Sequence, residues 1–185
     1  MRHAALFCTA GIAILCAAAA EAQHRPQHQP YAGLEGRAIK ALSDQQVADL
    51  KAGRGMGLAL AAELNGYPGP IHVLELAEPL GLTEAQRVKV QSLYEAMKAE
   101  AIPLGERLIA QEADLERQFR ERSVSPASLS RATEAIGATQ AALRAAHLKY
   151  HLSTVEALSP GQVGRYTELR GYGNGGTHRP RHEHR

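Results

Sequence analysis

Cysteine and tryptophan are scarce in this sequence, which has two cysteines and no tryptophan. Both cysteines, Cys8 and Cys16, lie in the first 22 residues, where the sequence has the pattern of a secretory signal. Once that segment is removed, the chain has no thiol with which to form a disulfide or to act as a nucleophile. The folded protein must therefore be stabilised by packing rather than by cross-links.

Aromatic residues and excess charge are also scarce. Aromatics make up 4% of the sequence, and the formal net charge is +2 at pH 7. A low aromatic content favours a helix bundle rich in Ala and Leu over a β-sandwich. A nearly neutral chain does not provide a surface that neutralises a run of phosphates. We therefore expect an all-α protein that does not bind nucleic acid.

The N-terminal segment, residues 1–22, has the three parts of a secretory signal. Arg2 supplies the positive start, residues 4–20 the apolar run, and residues 20–22 a small-x-small cleavage site. We expect cleavage after Ala22 and export of the chain. The alternative is an uncleaved membrane anchor, which the short, Ala-rich run fits less well.

One pattern, Leu, then Ser or Thr, then two residues and Gln, occurs three times, at residues 42–46, 82–86 and 158–162. The hydroxyl of such a segment can accept a hydrogen bond from the N–H of the Gln, while the Gln side chain accepts one from the N–H of the hydroxyl residue. This reciprocal arrangement is a capping box. Each copy therefore predicts the start of a helix.

Hydrophobic periodicity completes the helix assignment. We expect helices at about residues 43–52, 58–64, 70–77, 83–122, 125–158 and 160–169, with Pro103 kinking or splitting the longest of them. The two long helices should be antiparallel because a short connection joins them. They would form a single domain over residues 37–170, between a disordered lead-in at 23–36 and a disordered tail at 171–185.

The sequence has no pattern typical of an enzyme or of an organic cofactor site. The glycine-rich segment at residues 53–57 follows no predicted strand, as a nucleotide-binding loop would require. No Gly-x-Ser-x-Gly segment is present, and the acidic pairs are ordinary helix-surface charges. We therefore expect a protein that is not an enzyme.

Histidine gives the clearest chemical signal. His147 and His151 are one helical turn apart and fall within the apolar arc of the second long helix. Two imidazoles at this spacing can share a metal ion, and nitrogen and oxygen donors suit Zn, Ni, Co or Cu(II). His72 with Glu75, three residues further on, is the candidate for the remaining ligands, and Glu95 is an alternative oxygen donor.

The same histidines also fit a structural role. His147 and His151 would then be partly buried helix residues with hydrogen bonds to neighbours, and His72 a surface residue near a helix start. The tail contains three further histidines that would bind metal weakly without preformed geometry, or would be solvated: His178, His182 and His184.

The capping boxes at residues 82–86 and 158–162, the long helical hairpin between them and the export signal together resemble the Spy/CpxP superfamily of periplasmic proteins. The resemblance is to its heavy-metal-resistance and metal-sensor branch and covers about residues 71–169. It implies an elongated, periplasmic bundle of helical hairpins hooked by short helices, often a homodimer, that acts in metal or envelope-stress responses.

The resemblance also implies two kinds of function. In metal-sensing relatives one His precedes the first box and another lies on the helix leading to the last, and His72 and His151 occupy similar places. Leu76 and Val155 stand one turn beyond them, where that branch can have further ligands, so the ligand set departs from the family pattern. The alternatives are an ATP-independent chaperone that binds unfolded proteins and an inhibitory partner of a membrane stress sensor.

Overall fold

The computed structural model describes residues 31–172, and all of its regular elements are α-helices. In chain order they are α1 (Asp44–Lys51), α2 (Leu60–Glu63), α3 (Pro70–Glu75), α4 (Glu84–Arg120), α5 (Pro126–Glu156) and α6 (Pro160–Leu169). The predicted all-α fold is confirmed for this part of the chain, which contains no strand. None of the described helices is both long enough and apolar enough to cross a bilayer.

Several sequence predictions fall outside the described residues. These are the export signal at residues 1–22, the lead-in before Tyr31, and most of the tail with His178, His182 and His184. The domain limits proposed from the sequence therefore stay predictions.

The three predicted capping boxes all form. In the first, Ser43 Oγ accepts from the Gln46 N–H at 3.1 Å, and Gln46 Oε1 accepts from the Ser43 N–H at 2.8 Å. The boxes that begin α4 and α6 have the same two hydrogen bonds. A fourth box begins α5, with Ser125 as the cap and Ser128 in place of Gln. Local side-chain chemistry thus sets all four of these helix starts.

Helix α4 is one continuous helix of 37 residues with Pro103 inside it. At about 1.5 Å per residue it is about 55 Å long. Pro103 lies on the exposed side of the helix, where water can satisfy the carbonyl that loses its partner, whereas Ala101 and Gly105 on either side of it are buried. Packing on the buried side therefore keeps the helix continuous, and Pro103 does not split it into two helices.

The predicted antiparallel arrangement of α4 and α5 is confirmed by contacts along their length. Lys149 and Tyr150 of α5 both donate hydrogen bonds to Glu100 of α4. About two helical turns away, at a higher number in α4 and a lower number in α5, Leu108 and Leu143 lie in one buried cluster. Residue numbers rise along one helix as they fall along the other, so the two helices run in opposite directions.

The core consists of two apolar clusters. The first lies at the end where the capping boxes meet and contains Val73, Ala77, Leu80, Leu82, Val90, Leu158 and Tyr166. The second lies along the middle of the hairpin and contains Leu50, Ala101, Leu108, Ile136 and Leu143. The first cluster joins α3 and α6 to the hairpin, and the second joins α1 to it.

The boxes of α4 and α6 are bound directly to each other. Gln86 Nε2 donates to Gln162 Oε1 at 2.8 Å, and Gln162 Nε2 donates to Gln86 Oε1 at 3.0 Å. Gln86 Nε2 also donates to the carbonyl of Ala157 at 3.0 Å, just after α5 ends. Both boxes therefore lie at the same end of the bundle, and the bond between the two glutamines was not predicted.

Helix α1 approaches α4 so closely that one position must be glycine. A Cβ atom on Gly105 would lie 2.5 Å from the carbonyl oxygen of Leu50 and 2.9 Å from its carbonyl carbon. Leu50 is the second-last residue of α1 and is 2% exposed. Because the neighbouring atoms belong to the backbone, they cannot move aside as the end of a side chain would.

We expect Gly105→Ala to lower the free energy of unfolding by about 1–3 kcal/mol, because the added methyl overpacks the contact between α1 and α4. Urea unfolding followed by circular dichroism measures the change. Gly137→Ala is the matched control, since that glycine is exposed in α5 with no atom within 4 Å of its added Cβ. This control should raise stability by about 0.5–1 kcal/mol. A stabilising Gly105→Ala would contradict the close contact.

The bond between the glutamines predicts energetic coupling. In a double-mutant cycle of Gln86→Ala and Gln162→Ala, we expect a coupling free energy of at least about 0.5 kcal/mol, because each side chain is a partner of the other. Gln46 takes part in a box of its own at the start of α1, so a cycle of Gln46→Ala with Gln162→Ala should be additive. Additivity in both cycles would show that the hydrogen bonds between Gln86 and Gln162 add nothing to the free energy of unfolding.

Candidate metal centre

A cavity of about 420 Å³ opens between α2, α3, α4 and α5. Four of the five residues that the sequence singled out as ligands line it: His72, Glu75, His147 and His151. The first two come from α3 and the last two from α5. The fold therefore brings together two short sequence segments that are separated by the whole of α4.

The imidazole of His147 is buried without a hydrogen-bond partner. The residue is 2% exposed, and its Nε2 atom bonds to no group in residues 31–172. Burial, and to a smaller extent the charge of His151, lower the pKa of His147 below its usual value, so the neutral ring is favoured. A neutral imidazole with an unpartnered ring nitrogen can bind a metal ion.

The second imidazole is held in a fixed orientation by the turn before α3. His151 is 7% exposed, and its Nδ1 lies 2.6 Å from the carbonyl oxygen of Tyr67. A carbonyl only accepts hydrogen bonds, so the contact assigns the proton of the neutral ring to Nδ1 and leaves the lone pair on Nε2. This is the arrangement of a metal-binding histidine whose other nitrogen is anchored by the backbone.

The turn fits closely against this ring. A Cβ atom on Gly69 would lie 2.9 Å from His151 Cε1 and 3.1 Å from its Nε2. Glycine at this position therefore leaves space for the imidazole beside Pro70, the first residue of α3. The contact between this turn and the histidine was not predicted from the sequence.

Glu63 is a buried acidic residue beside the histidines that the sequence analysis did not identify. It is 7% exposed, and its carboxylate accepts hydrogen bonds from the Gly69 N–H at 3.1 Å, from the Tyr172 hydroxyl at 3.1 Å and from the Tyr166 hydroxyl. Arg170 Nε lies 3.8 Å away. Its carboxylate is therefore already engaged.

These contacts have two further consequences. Burial and the Glu63 carboxylate raise the pKa of Tyr166 far above its usual value, so this hydroxyl remains a proton donor. Tyr172, which the sequence analysis assigned to the disordered tail, takes part in the network through its hydroxyl. The C-terminal end of the described chain thus contacts a wall of the cavity.

His72 and Glu75 lie at the more exposed side of the cavity. Their side chains are 36% and 55% exposed, and His72 Nδ1 lies 3.2 Å from Glu75 Oε2. The fifth predicted residue, Glu95, is in a separate surface groove with Leu74 and Arg87. Its carboxylate accepts a hydrogen bond from Gln91 at 2.8 Å. The structure does not bring Glu95 to the cavity.

Within residues 31–172, no three His, Cys, Asp or Glu side chains are already grouped so that they would hold a metal ion. Glu63 is bound by tyrosines, and His72 is paired with Glu75. The buried imidazoles of His147 and His151 fit a metal ion as two of its ligands. Further ligands would have to move in from the exposed side of the cavity or be side chains of another residue type.

Comparison with known proteins gives one match to a family. A family model described as heavy-metal resistance matches residues 57–165, which make up more than half of the chain. The matched segment contains all three histidines that line the cavity. The chain matches no curated protein and no solved structure.

Proposed function

The chain belongs to the heavy-metal resistance family, and we propose that it binds a divalent transition metal ion, namely Zn, Ni, Co or Cu(II), through His147 and His151. The observation that carries the proposal is the buried, unpartnered Nε2 atom of His147. A buried polar atom without a partner costs about 1–3 kcal/mol of stability. A bound metal ion would use this atom as a ligand and remove that cost.

His151 supports the same proposal through its tautomer. Its Nδ1–H bond to the Tyr67 carbonyl leaves Nε2 as a donor, and the two histidines are four residues apart on α5. Anchoring the non-ligating nitrogen fixes the ring and makes the other nitrogen a better ligand. His147 and His151 therefore form the fixed half of the proposed site.

His72 and Glu75 would supply the second half. They line the same cavity, and both side chains are exposed enough to change rotamer when an ion enters. One imidazole and one carboxylate would complete a four-ligand nitrogen and oxygen site of the kind that zinc prefers. When the ion binds, His72 and Glu75 would no longer pair with each other, and both would coordinate the ion.

We further propose that the protein acts in the periplasm, as a metal-resistance protein without enzymatic activity and as a homodimer. Export is supported by the signal pattern at residues 1–22. The absence of a nucleophile motif from the sequence supports a binding role. The dimer is supported by the resemblance to the Spy/CpxP superfamily.

Calorimetric titration with Zn and Ni tests the site. We expect one ion per chain, with affinity reduced at least about tenfold, or about 1.4 kcal/mol, in His147→Gln and in His151→Gln. His72→Ala should weaken binding less, because its side chain has to move to reach the ion.

Two controls separate this site from other binding. Glu95→Gln should bind as the unmodified chain does, since Glu95 lies in another groove. A variant with His178, His182 and His184 replaced by alanine should also keep its high-affinity ion. Equal affinity in all variants, or loss of binding when the tail histidines alone are replaced, would contradict the proposal.

A chaperone role is the second candidate, and exposed apolar residues near the cavity favour it. Leu60 and Leu64 of the α2 region are 54% and 55% exposed, and Met56 and Tyr67 are each 41% exposed. Apolar residues in such a group often mark a surface that binds other proteins. Exposed segments of unfolded proteins would suit this surface.

If the chaperone proposal is correct, a stoichiometric amount of the protein suppresses aggregation of an unfolding client, measured by light scattering. The double substitution Leu60→Ser and Leu64→Ser should reduce suppression, because it removes the apolar contact. Val88→Ser is the matched control, since Val88 is 62% exposed but lies in the separate groove with Glu95. If the unmodified chain does not reduce the light scattering of the aggregating client, the chaperone role is ruled out.

A further inference from the structure

The two methionines outside the predicted export signal both lie at the cavity that contains His147 and His151. The sequence has three methionines, of which Met1 is the first residue. Met56, between α1 and α2, and Met97, in the middle of α4, both line the cavity. Two segments that are far apart in the sequence thus each contribute a methionine to the lining of this cavity.

The methionines differ in exposure. Met97 is 5% exposed, as buried as the two histidines, whereas Met56 is 41% exposed. Met56 also has a left-handed backbone with φ of 44°, which is uncommon for a residue other than glycine and costs about 1–3 kcal/mol. Such a conformation persists where the surrounding structure imposes it, so the position of Met56 is set by its loop.

The buried donors in this cavity are neutral. His147, His151 and Met97 bring two imidazoles and one thioether, all more than nine-tenths buried. The buried carboxylate of Glu63 is occupied by Gly69, Tyr166 and Tyr172. The three free donors therefore add no charge of their own to offset that of a bound ion, and burying charge is costly. These three donors thus suit an ion of low charge.

The thioethers favour the same choice. Thioether sulfur is a soft donor that suits Cu(I), whereas Zn, Ni and Co prefer imidazole, carboxylate or thiolate ligands. Imidazole binds copper as well. Among transition ions, Cu(I) is thus the one that matches both donor types at this cavity.

We infer that the cavity binds Cu(I), with the thioether sulfurs of Met56 and Met97 and the Nε2 atoms of His147 and His151 as ligands. The inference rests on the proposed function, since it requires that the two histidines bind a metal, and it adds Cu(I) to the ions proposed above. His72 and Glu75 are not required as ligands in this site.

Anaerobic competition of the full chain with bicinchoninate for Cu(I) tests the inference. We expect Met56→Leu with Met97→Leu to lower Cu(I) affinity at least about tenfold, because leucine keeps the volume of the side chain but lacks the sulfur. Zn affinity, measured with a chromophoric chelator, should change by less than about twofold in the same variant, since thioethers are poor zinc ligands. X-ray absorption should show copper–sulfur scattering that the double variant loses.

The design separates the two proposals. Assays are made in a chain whose His178, His182 and His184 are alanine, and Met56→Leu is tested alone because the exposed Met56 contributes less to packing than Met97. Unchanged Cu(I) affinity in both methionine variants, together with no sulfur scattering, overturns the Cu(I) inference. If His147→Gln still weakens Zn binding in those experiments, the proposed function stands. If neither ion binds, or if His147→Gln and His151→Gln change nothing, both proposals fail.

Discussion

Two glutamine side chains join the ends of the helical hairpin, and the arrangement of the cavity depends on them. Gln86 and Gln162 each close a capping box and also bind each other, while Gln86 reaches the end of α5 at Ala157. One pair of amides thus fixes where α4 begins, where α5 ends and where α6 starts. Val73 of α3 packs in the first apolar cluster, which lies at this end of the hairpin. The pair of glutamines therefore also sets the position of the His72 segment relative to α5.

Features that depend on short-range chemistry were predictable from the sequence. A capping box is complete within five residues, and each predicted box forms. The bond between Gln86 and Gln162 joins residues 76 positions apart, so it follows from the tertiary fold and not from the pattern. Pro103 shows the same limit, because its local tendency to break a helix is opposed by burial of Ala101 and Gly105 on the inner face of α4.

The same limit applies to the candidate site: the arrangement within one helix could be predicted, but contacts between distant segments could not. The spacing of His147 and His151 places both on one face of α5, and both are buried. Glu63 was missed because its tyrosine partners are 103 and 109 residues away in the sequence. The one sequence signal for it was its position as a charged residue at the end of a short apolar helix. Met97 is a buried apolar residue of α4, and hydrophobic spacing along one helix does not show that a cavity lies beside it.

The carboxylate of Glu63 makes the charge of the cavity depend on the last residues of the described chain. Tyr166, Arg170 and Tyr172 surround it, and two of these lie beyond the end of α6 at Leu169. A chain truncated after Leu169 would lack a positive group and a hydroxyl that now hold the carboxylate. A released carboxylate would face the imidazole of His151, 3.7 Å from its Nδ1, and would change a neutral donor set into an anionic one. Arg170 and Tyr172 thus connect the last described residues to the electrostatic surroundings of His151.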